Sequence, residues 1–223
     1  MKTINIAIDG PAGAGKSTIA KMVSAKLGYI YVDTGALYRA AALYITENGI
    51  PDEDIEKSLE NADISLKFID GAQRVFLGDK DVSDLIRTPE ISMAASRTSA
   101  VPAVRAYLFE TQKKIARENN VIMDGRDIGT VVLPDADVKI FLTASAEERA
   151  NRRYKELSVK PDCPPYEDIL KDIIQRDYQD MNRETSPLKQ AEDAVLVDTT
   201  ELDLEQSADE IVRIISERTA GEI

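Results

Sequence analysis

Gly10-Pro11-Ala12-Gly13-Ala14-Gly15-Lys16-Ser17-Thr18 is the stretch that decides the fold, because it has the form G-x-x-x-x-G-K-[ST] of a phosphate-binding loop. An apolar run at residues 4–8 precedes it and predicts a buried strand. Residues 19–27 follow it with the spacing of an amphipathic helix. A strand, a glycine-rich turn and a helix N-terminus together direct backbone N–H groups and a partial positive charge at bound phosphates. All nine residues are therefore predicted to bind a nucleoside triphosphate such as ATP.

Two side chains of the loop have predicted roles. Lys16 is expected to reach the β- and γ-phosphates and to act in catalysis, and the Ser17 hydroxyl is expected to help hold Mg²⁺. A plain glycine turn is the competing interpretation, but the flanking strand and helix favour phosphate binding. Asp124 follows a later apolar run. It either positions Mg²⁺ through water or caps the turn at Gly125, and the sequence leaves both interpretations open.

Composition excludes several classes of function. The chain has 223 residues, of which 43% are hydrophobic and 30% charged, as expected of a globular protein with a sizeable core. Its formal net charge of −12 argues against a nucleic-acid partner, which requires a basic surface. Histidine is absent, so imidazole bases and histidine metal sites are excluded. A single cysteine, Cys163, and the lack of a secretory or membrane-spanning segment predict a cytoplasmic protein without a membrane partner.

Strands and helices are predicted to alternate along most of the chain. The predicted core strands lie at residues 4–8, 29–32, 121–124, 138–143 and 194–197. This succession predicts an α/β fold with a five-stranded parallel sheet flanked by helices, and with ligands above the carboxyl ends of the strands. The helix that begins at Tyr166 is expected to bury an apolar stripe consisting of Ile169, Leu170, Ile173 and Ile174.

The middle of the chain departs from this alternation. Ile64, Leu66 and Phe68 alternate with polar residues, which predicts a strand exposed on one face. Turn signals at Asp70-Gly71 and Gly78-Asp79 then separate two further short strands. The pattern predicts a small antiparallel β insert within the parallel fold.

The acceptor of the phosphoryl group decides the class of enzyme. No Asn-Lys-x-Asp motif is present, which argues against a GTPase. A hydroxyl acceptor needs a base, whereas a phosphate acceptor is already ionised and needs several cations, for which arginine is favoured. Arginines at loop and helix positions near the predicted cleft are Arg39, Arg105, Arg126, Arg149, Arg152, Arg153, Arg176 and Arg183. A nucleotide-phosphate acceptor is therefore favoured.

One set of charges has the spacing of a single helix face. Arg176, Asp180 and Arg183 follow each other at i, i+4 and i+7. They form either a solvated face with local ion pairs or a binding surface with two guanidinium groups around a carboxylate, and the sequence is compatible with both.

A second set of charges, Arg149, Arg152 and Arg153, precedes the loop at residues 158–165, which contains three prolines. The run is either an ordinary charged surface or a group of cations in a lid that closes over the triphosphate. On the second interpretation Arg153 is a catalytic candidate, together with Lys16 and Arg126.

Four segments in this order and spacing resemble the bacterial cytidylate kinases: residues 10–18, 33–39, 124–132 and 176–183. The resemblance extends over essentially the whole chain, including the antiparallel insert. It implies a P-loop kinase fold in a single domain covering residues 1–223. The implied parts are a core at about 1–33, 101–153 and 166–223, a monophosphate-binding subdomain at about 34–100 and a lid at about 154–165.

The resemblance also implies an activity and an acceptor site. The implied reaction transfers the γ-phosphoryl group of ATP to CMP or dCMP, with Mg²⁺ as cofactor and no general base, in a monomer. Arg39 and Arg126 match the positions that bind the acceptor phosphate. Thr34, Arg105, Asp127 and Arg183 match those that bind cytosine, and Ser96, Arg176 and Asp180 match those that bind the pentose. Thr34 stands where some members have serine, and it retains the hydroxyl.

Two alternatives remain at this point. One is another P-loop kinase, acting on UMP, AMP or a small metabolite hydroxyl. The other is a nucleotide-dependent switch protein that binds ATP without a small-molecule acceptor, a class that leaves the arginines unexplained. Turnover with a panel of nucleoside monophosphates distinguishes the three.

Overall fold

A five-stranded sheet lies at the centre of this computed structural model, which describes residues 3–69, 72–159 and 163–220. The described residues form the following strands: β1 (Asn5–Asp9), β2 (Ile30–Asp33), β3 (Ile64–Ile69), β4 (Ala72–Leu77), β5 (Lys80–Asp81), β6 (Val121–Gly125), β7 (Val138–Thr143) and β8 (Val195–Asp198). The helices are α1 (Lys16–Leu27), α2 (Thr34–Glu47), α3 (Ile55–Leu59), α4 (Pro89–Thr98), α5 (Pro102–Glu118), α6 (Ala146–Leu157), α7 (Tyr166–Asn182) and α8 (Leu204–Thr219).

The central sheet has the strand order β2-β6-β1-β7-β8, and each of its pairs is parallel. The predicted five-stranded parallel sheet is therefore confirmed. Because parallel strands all end at the same edge, residues far apart in the sequence meet there. Asp33 lies opposite Asp124, and Asp9 lies opposite Gly125.

Helices cover both faces of this sheet, because successive residues of a strand point to opposite sides. In β1, Ile6 and Ile8 pack in one cluster with α1 and α8. Ala7, between them, faces a second cluster that includes Met123 of β6 and Ala116 of α5. Burial on both faces explains why β1 is almost continuously apolar.

The insert forms a separate antiparallel sheet with the order β3-β4-β5, as predicted. Its apolar side joins a third core cluster, which includes Leu37 and Leu43 of α2 together with residues of α3, α4 and α5. Gln73 of β4 links this sheet to the end of β2, since its side-chain amide accepts from the Asp33 N–H at 2.8 Å and donates to the Asp33 carbonyl at 3.1 Å. The predicted turn at Asp70-Gly71 lies outside the described residues.

Helix α7 differs from its prediction in two ways. Ile169 and Ile173 are buried beside Ala150 of α6, but Ile174 is 52% exposed, so its assignment to the buried stripe is wrong. The adjacent positions 173 and 174 are 100° apart on a helix, and α6 covers only one of them. The helix ends at Asn182, and Arg183 continues in extended conformation just beyond it. Among the described residues, no helix combines the length and apolar character needed to cross a membrane.

Candidate active site

The glycine-rich loop between β1 and α1 has a conformation that requires glycine at both of its ends. Gly10 has φ 151°, and a Cβ atom there would lie 1.9 Å from the Leu142 carbonyl oxygen of β7. Gly15 has φ 87° and immediately precedes the first residue of α1. A side chain is excluded at Gly10 by the neighbouring strand and disfavoured at Gly15 by the backbone angle. The loop therefore leads from the sheet edge directly to a helix N-terminus, the arrangement that favours phosphate oxygens.

Lys16 folds back over this loop. Its side chain is buried, and Nζ donates a hydrogen bond of 2.7 Å to the Pro11 carbonyl oxygen. Burial lowers the pKa of Lys16 well below its usual value, and repulsion by Arg126 lowers it further, whereas Asp124 and Asp9 raise it. An anion entering the loop would favour the charged form of Lys16.

Asp124 is the centre of a hydrogen-bond network below the loop. Its carboxylate accepts from Ser17 Oγ at 2.8 Å and from the Tyr31 hydroxyl at 3.1 Å, while its carbonyl oxygen accepts from Thr34 Oγ1 at 2.7 Å. Burial, followed by the nearby charge of Asp33, raises the pKa of Asp124 to about 6. A cation beside this carboxylate would reverse that effect.

The donor set at this point fits Mg²⁺. A hydroxyl and a carboxylate are hard oxygen ligands, and Mg²⁺ in nucleotide sites is held by one or two such groups together with the phosphates. The described residues contain no group of three or more acidic or cysteine side chains that would hold a metal without the nucleotide. Ser17 and Asp124 are therefore the residues that suit the ion.

Arginines from three elements meet beside the ends of β2 and β6. Arg126 donates through Nε to Asp180 of α7 at 2.8 Å. Arg39 of α2 donates through Nη2 to Asp33 at 2.8 Å. Within the described part of the chain, the Nε of Arg39 is buried and has no hydrogen-bond partner. A buried guanidinium N–H without a protein partner is free to donate to an acceptor from outside the chain.

Arg176 of α7 completes this group. Arg176 is exposed, and the surrounding protein lowers the pKa of its guanidinium group, first through lost hydration and then through repulsion by Arg126 and Arg39. Asp180 and Asp177 raise that pKa, but less than the other effects lower it. Three guanidinium groups that repel each other in one cleft form a favourable site for an anion.

A second cluster lies next to the first. The buried Asp127 forms an ion pair with Nη2 of Arg105, and Arg105 also donates to the Ser186 hydroxyl and the Ser99 carbonyl, each at 3.2 Å. Arg183 donates through Nε to the Ser186 carbonyl at 2.7 Å. In the described structure its buried Nη2 has no partner. Burial lowers the pKa of Arg183, as does repulsion by Arg105.

A cavity of about 190 Å³ adjoins this second cluster. Its lining is largely apolar or aromatic, with a few polar groups: Tyr38, Pro102, Arg105, Ala106, Phe109, Gln112, Val131, Val132, Thr185 and Ser186. An apolar cavity with convergent hydrogen-bonding groups suits a small heterocycle.

Two predicted residues lie apart from these clusters. Ser96 is on α4, partly buried, and α4 packs against the helix that carries Arg39. Arg153 is on the surface of α6, where it pairs with Glu156 at 3.1 Å and is more than half exposed. The other two arginines of its run have partners outside α6. Arg149 is buried against Asp177, and Arg152 donates to the Thr199 carbonyl at 2.6 Å.

Several residues that contact the predicted site were missed by the sequence analysis. Asp9 accepts from the Ile128 and Gly129 N–H groups at 2.8 and 2.7 Å, and so holds the turn that follows Asp127. Tyr31 and Gln73 likewise hold Asp124 and Asp33, respectively. The only sequence signal was their position in core strands or in the insert, which does not identify a hydrogen-bond partner.

Comparisons with known proteins identify the family of this chain. The model of the cytidylate kinase family matches residues 6–217. A cytidylate kinase of Caldanaerobacter subterraneus is 52% identical, covering 99% of this chain and 98% of its own, and one of Carboxydothermus hydrogenoformans is 50% identical, covering 96% and 98%. A solved structure of an uncharacterized protein from Eubacterium ventriosum has a TM-score of 0.57 at 13% identity, covering 97% of this chain and 99% of its own, and is similar in fold alone.

Proposed function

This chain belongs to the cytidylate kinase family, and we propose that it transfers the γ-phosphoryl group of ATP to CMP or dCMP, giving ADP and CDP or dCDP. The observation that carries the proposal is the position of Arg126. Its charge lowers the pKa of both Lys16 at the glycine-rich loop and Arg176 of α7, so Arg126 lies near both. A site for a triphosphate and a site for a second anion therefore adjoin each other, as transfer between two nucleotides requires.

The donor half of the site consists of residues 10–18, which bind the phosphates of ATP through backbone N–H groups and Lys16. Ser17 and Asp124 hold Mg²⁺ with those phosphates. When bound, the ion offsets negative charge on the transferring group. Lys16 leaves the Pro11 carbonyl and takes a phosphate oxygen as its acceptor, so its charge lies where negative charge develops.

Arg39 and Arg126 bind the phosphate of CMP, because both guanidinium groups lie near Arg176 and, within the described residues, the Nε of Arg39 lacks an acceptor. No residue needs to remove a proton, since the attacking phosphate oxygen is ionised at neutral pH. The arginines instead reduce the repulsion between two polyanions and orient the acceptor for in-line attack. Ser96, Arg176 and Asp180 are assigned to the pentose.

Thr34 favours cytosine over uracil because of the direction of its hydroxyl group. The hydroxyl hydrogen is donated to the Asp124 carbonyl, so only lone pairs remain to face the base. These lone pairs accept a hydrogen bond from the exocyclic amine of cytosine. They repel the carbonyl oxygen that uracil has at the same position. Asp127, also an acceptor, supports the same selection, while Arg105 and Arg183 donate to ring acceptors.

The remaining assignments concern the lid, the division of the domain, the oligomeric state and the cellular location. Arg153 lies on the surface, and its catalytic role depends on movement of the lid at 154–165, of which residues 160–162 lie outside the described residues. Closure would exclude water, which competes with CMP as acceptor. The division into core, monophosphate-binding subdomain and lid belongs to this proposal, as do a monomeric state and a cytoplasmic location.

A coupled assay of ADP release with CMP, dCMP, UMP, AMP and GMP tests the proposal. Fast turnover is expected with CMP and dCMP, and slower turnover with UMP. Turnover with UMP or AMP but not with CMP would overturn the choice of substrate. ATP hydrolysis that CMP leaves unchanged would indicate a nucleotide-dependent switch protein.

A further inference from the structure

Arg149 donates four hydrogen bonds, although most of the other charged residues of α6 are exposed. Its side chain is 5% exposed, and all three of its guanidinium nitrogens donate hydrogen bonds. Nε donates to the Ala144 carbonyl at 2.9 Å, directly after β7. Nη1 donates to the Ala12 carbonyl of the glycine-rich loop at 3.0 Å. The side chain is therefore committed to the protein and is not available to a phosphate.

Asp177 of α7 completes this arrangement with a two-point ion pair. Its carboxylate accepts from Nη1 of Arg149 at 3.0 Å and from Nη2 at 2.6 Å. Parallel hydrogen bonds of this kind fix the orientation of both side chains as well as their distance. Asp177 follows Arg176 directly and precedes Asp180 by one helical turn, so its helix carries the groups that face the acceptor.

We infer that Arg149 and Asp177 are positioning residues that hold the donor loop at a fixed distance from the acceptor side chains of α7. The inference rests on the two-nucleotide site proposed above. The Ala12 carbonyl belongs to the loop that receives ATP, and Arg149 joins it through Asp177 to the helix that receives CMP. Attack in line with the leaving group requires those two parts to keep one spacing, and a shift of about 1 Å lowers the rate substantially.

Packing alone does not explain this ion pair. Helices α6 and α7 already share an apolar contact in which Ala150, Ile169 and Ile173 are buried. A buried ion pair adds little stability relative to well-packed apolar side chains of similar volume, because both charges lose their hydration. An apolar pair would join the two helices as well, but it would not bind the Ala12 carbonyl.

Contact along the arginine stem adds to the link with the loop. A Cβ atom at Gly13 would lie 3.4 Å from Cβ of Arg149, so the loop rests directly on this side chain. Arg152 and Arg153, from the same run, bond instead to Thr199 and Glu156. Of these three arginines, Arg149 is the one whose bonds reach both the loop and α7.

A ligand that spans both halves tests the inference. The probe is adenosine joined to cytidine through their 5′ oxygens by five phosphates, compared with ADP alone and CMP alone by calorimetry. The linked ligand gains affinity only when both half-sites are held at the right spacing, whereas each single nucleotide needs only its own half. The wild-type protein is expected to bind the linked ligand far more tightly than either nucleotide.

The test variant is Arg149→Met combined with Asp177→Leu, which replaces the ion pair by apolar side chains. Its affinity for the linked ligand and its kcat are expected to fall at least about tenfold, while its affinities for ADP and CMP stay within about threefold of wild type. The matched control is Arg213→Met with Glu210→Leu, an exposed ion pair on α8 with distances similarly short. This control is expected to leave kcat and the affinities for the linked ligand, ADP and CMP unchanged.

Arg149→Lys covers the case in which the double variant does not fold. It keeps a cation beside Asp177, but an ammonium group lacks the planar fork that reaches Ala144, Ala12 and Asp177 together. Selective loss of the linked ligand and of kcat is again expected. Wild-type values in the variants, or equal losses for all three ligands, would overturn the inference. Failure of the wild-type protein itself to gain affinity from the linkage would overturn the proposed two-nucleotide site, and with it the inference.

Discussion

Residues 10–18 form one side of the cleft from a single stretch of backbone, whereas the opposite side combines side chains from segments far apart in the sequence. The donor side depends on local conformation, with glycines of positive φ at Gly10 and Gly15. The acceptor side depends on ion pairs between elements, such as Arg126 with Asp180 of α7. One side is therefore set by a turn and the other by the tertiary fold.

The two sides also differ in how their cationic side chains are bonded. The lysine of the donor loop has an acceptor within the protein, the Pro11 carbonyl, so this hydrogen bond does not depend on a ligand. The acceptor side, within the described residues, leaves nitrogens of Arg39 and Arg183 buried without partners. Such groups lower stability until a ligand supplies the acceptor. We expect the acceptor side to respond more strongly to its nucleotide than the donor side.

The largest expected effect is that of Lys16→Ala. Loss of the charge at the transferring group should lower kcat about a thousandfold, the range found when a single electrostatic donor is removed. Because burial and Arg126 lower the pKa of Lys16, the ligand-free variant should be at least as stable as wild type in urea unfolding.

Lys26→Ala is the matched control for this change. Lys26 is on the same helix α1, and its pair with Asp209 at 2.6 Å lies on the surface. The control should retain wild-type turnover, because exposed pairs contribute little. Turnover of Lys16→Ala within about tenfold of wild type would contradict the role of Lys16.

A second prediction concerns Asp9, which joins the two sides. Asp9 ends β1 immediately before the donor loop, and its carboxylate holds the turn behind Asp127. Burial raises the pKa of Asp9 to about 6 in the folded protein, against 3.8 as its ordinary value. The folded state therefore binds the proton more tightly between these values. The contribution to the unfolding free energy is fully present below the ordinary pKa and is lost as the pH rises to about 6.

Asp9→Asn removes this dependence. The unfolding free energy of wild type minus that of the variant should fall by about 2 kcal/mol between pH 4 and pH 7, on the order of two pKa units. The difference isolates Asp9 from the other carboxylates, which titrate in both proteins. Urea unfolding at a series of pH values measures it, and a difference that does not vary with pH would contradict the prediction.

The third-largest expected effect tests how Thr34 selects cytosine over uracil. Thr34→Val removes the lone pairs that face the base, so kcat/KM for CMP should fall about thirtyfold, with a smaller change for UMP. It also leaves the Asp124 carbonyl without its donor, at a cost of about 1 kcal/mol in unfolding free energy. Thr34→Ser keeps the hydroxyl and should be close to wild type. Equal losses for CMP and UMP would contradict the assignment.

The sequence predicts the donor side better than the acceptor side, because the donor side depends on local conformation and the acceptor side on tertiary contacts. The donor loop and the five parallel strands follow from local patterns, since glycine positions and apolar runs report backbone conformation directly. The pairing of β2 with β6 could not be predicted from these patterns, because their residues are about ninety positions apart. That pairing places Asp33 beside Asp124 and thereby brings Arg39 and Arg126 to one edge.

The arginine run on α6 shows the limit for side chains. As neighbours in the sequence, Arg149, Arg152 and Arg153 were predicted to share one role, either in a charged surface or in a lid. A helix turns by 100° per residue, so adjacent positions face different partners. One arginine is buried against Asp177, one bonds to Thr199 and one lies on the surface. Their partners come from other elements, and no local pattern names them.

The smallest expected effect separates two functions of a single carboxylate on the acceptor side. Asp180 accepts from Arg126 at 2.8 Å and is also assigned to the pentose of CMP. Asp180→Ala should lower kcat for both nucleotides, because Arg126 loses the group that orients it. The loss of a pentose contact should be larger for CMP, which has the additional hydroxyl. The ratio of kcat/KM for CMP to that for dCMP should therefore fall about fivefold.

The ratio is the informative measurement, because a displaced Arg126 affects both substrates alike and cancels. Asp172→Ala, at an exposed position of the same helix, is the control and should leave the ratio and kcat unchanged. If Asp180→Ala lowers turnover of CMP and dCMP equally, Asp180 acts only through Arg126, and the pentose assignment is wrong. If the ratio changes, one carboxylate serves both the ion pair between elements and the substrate. The acceptor side would then adjust its own internal bonds when CMP binds, as we propose for the donor loop when Lys16 exchanges the Pro11 carbonyl for phosphate.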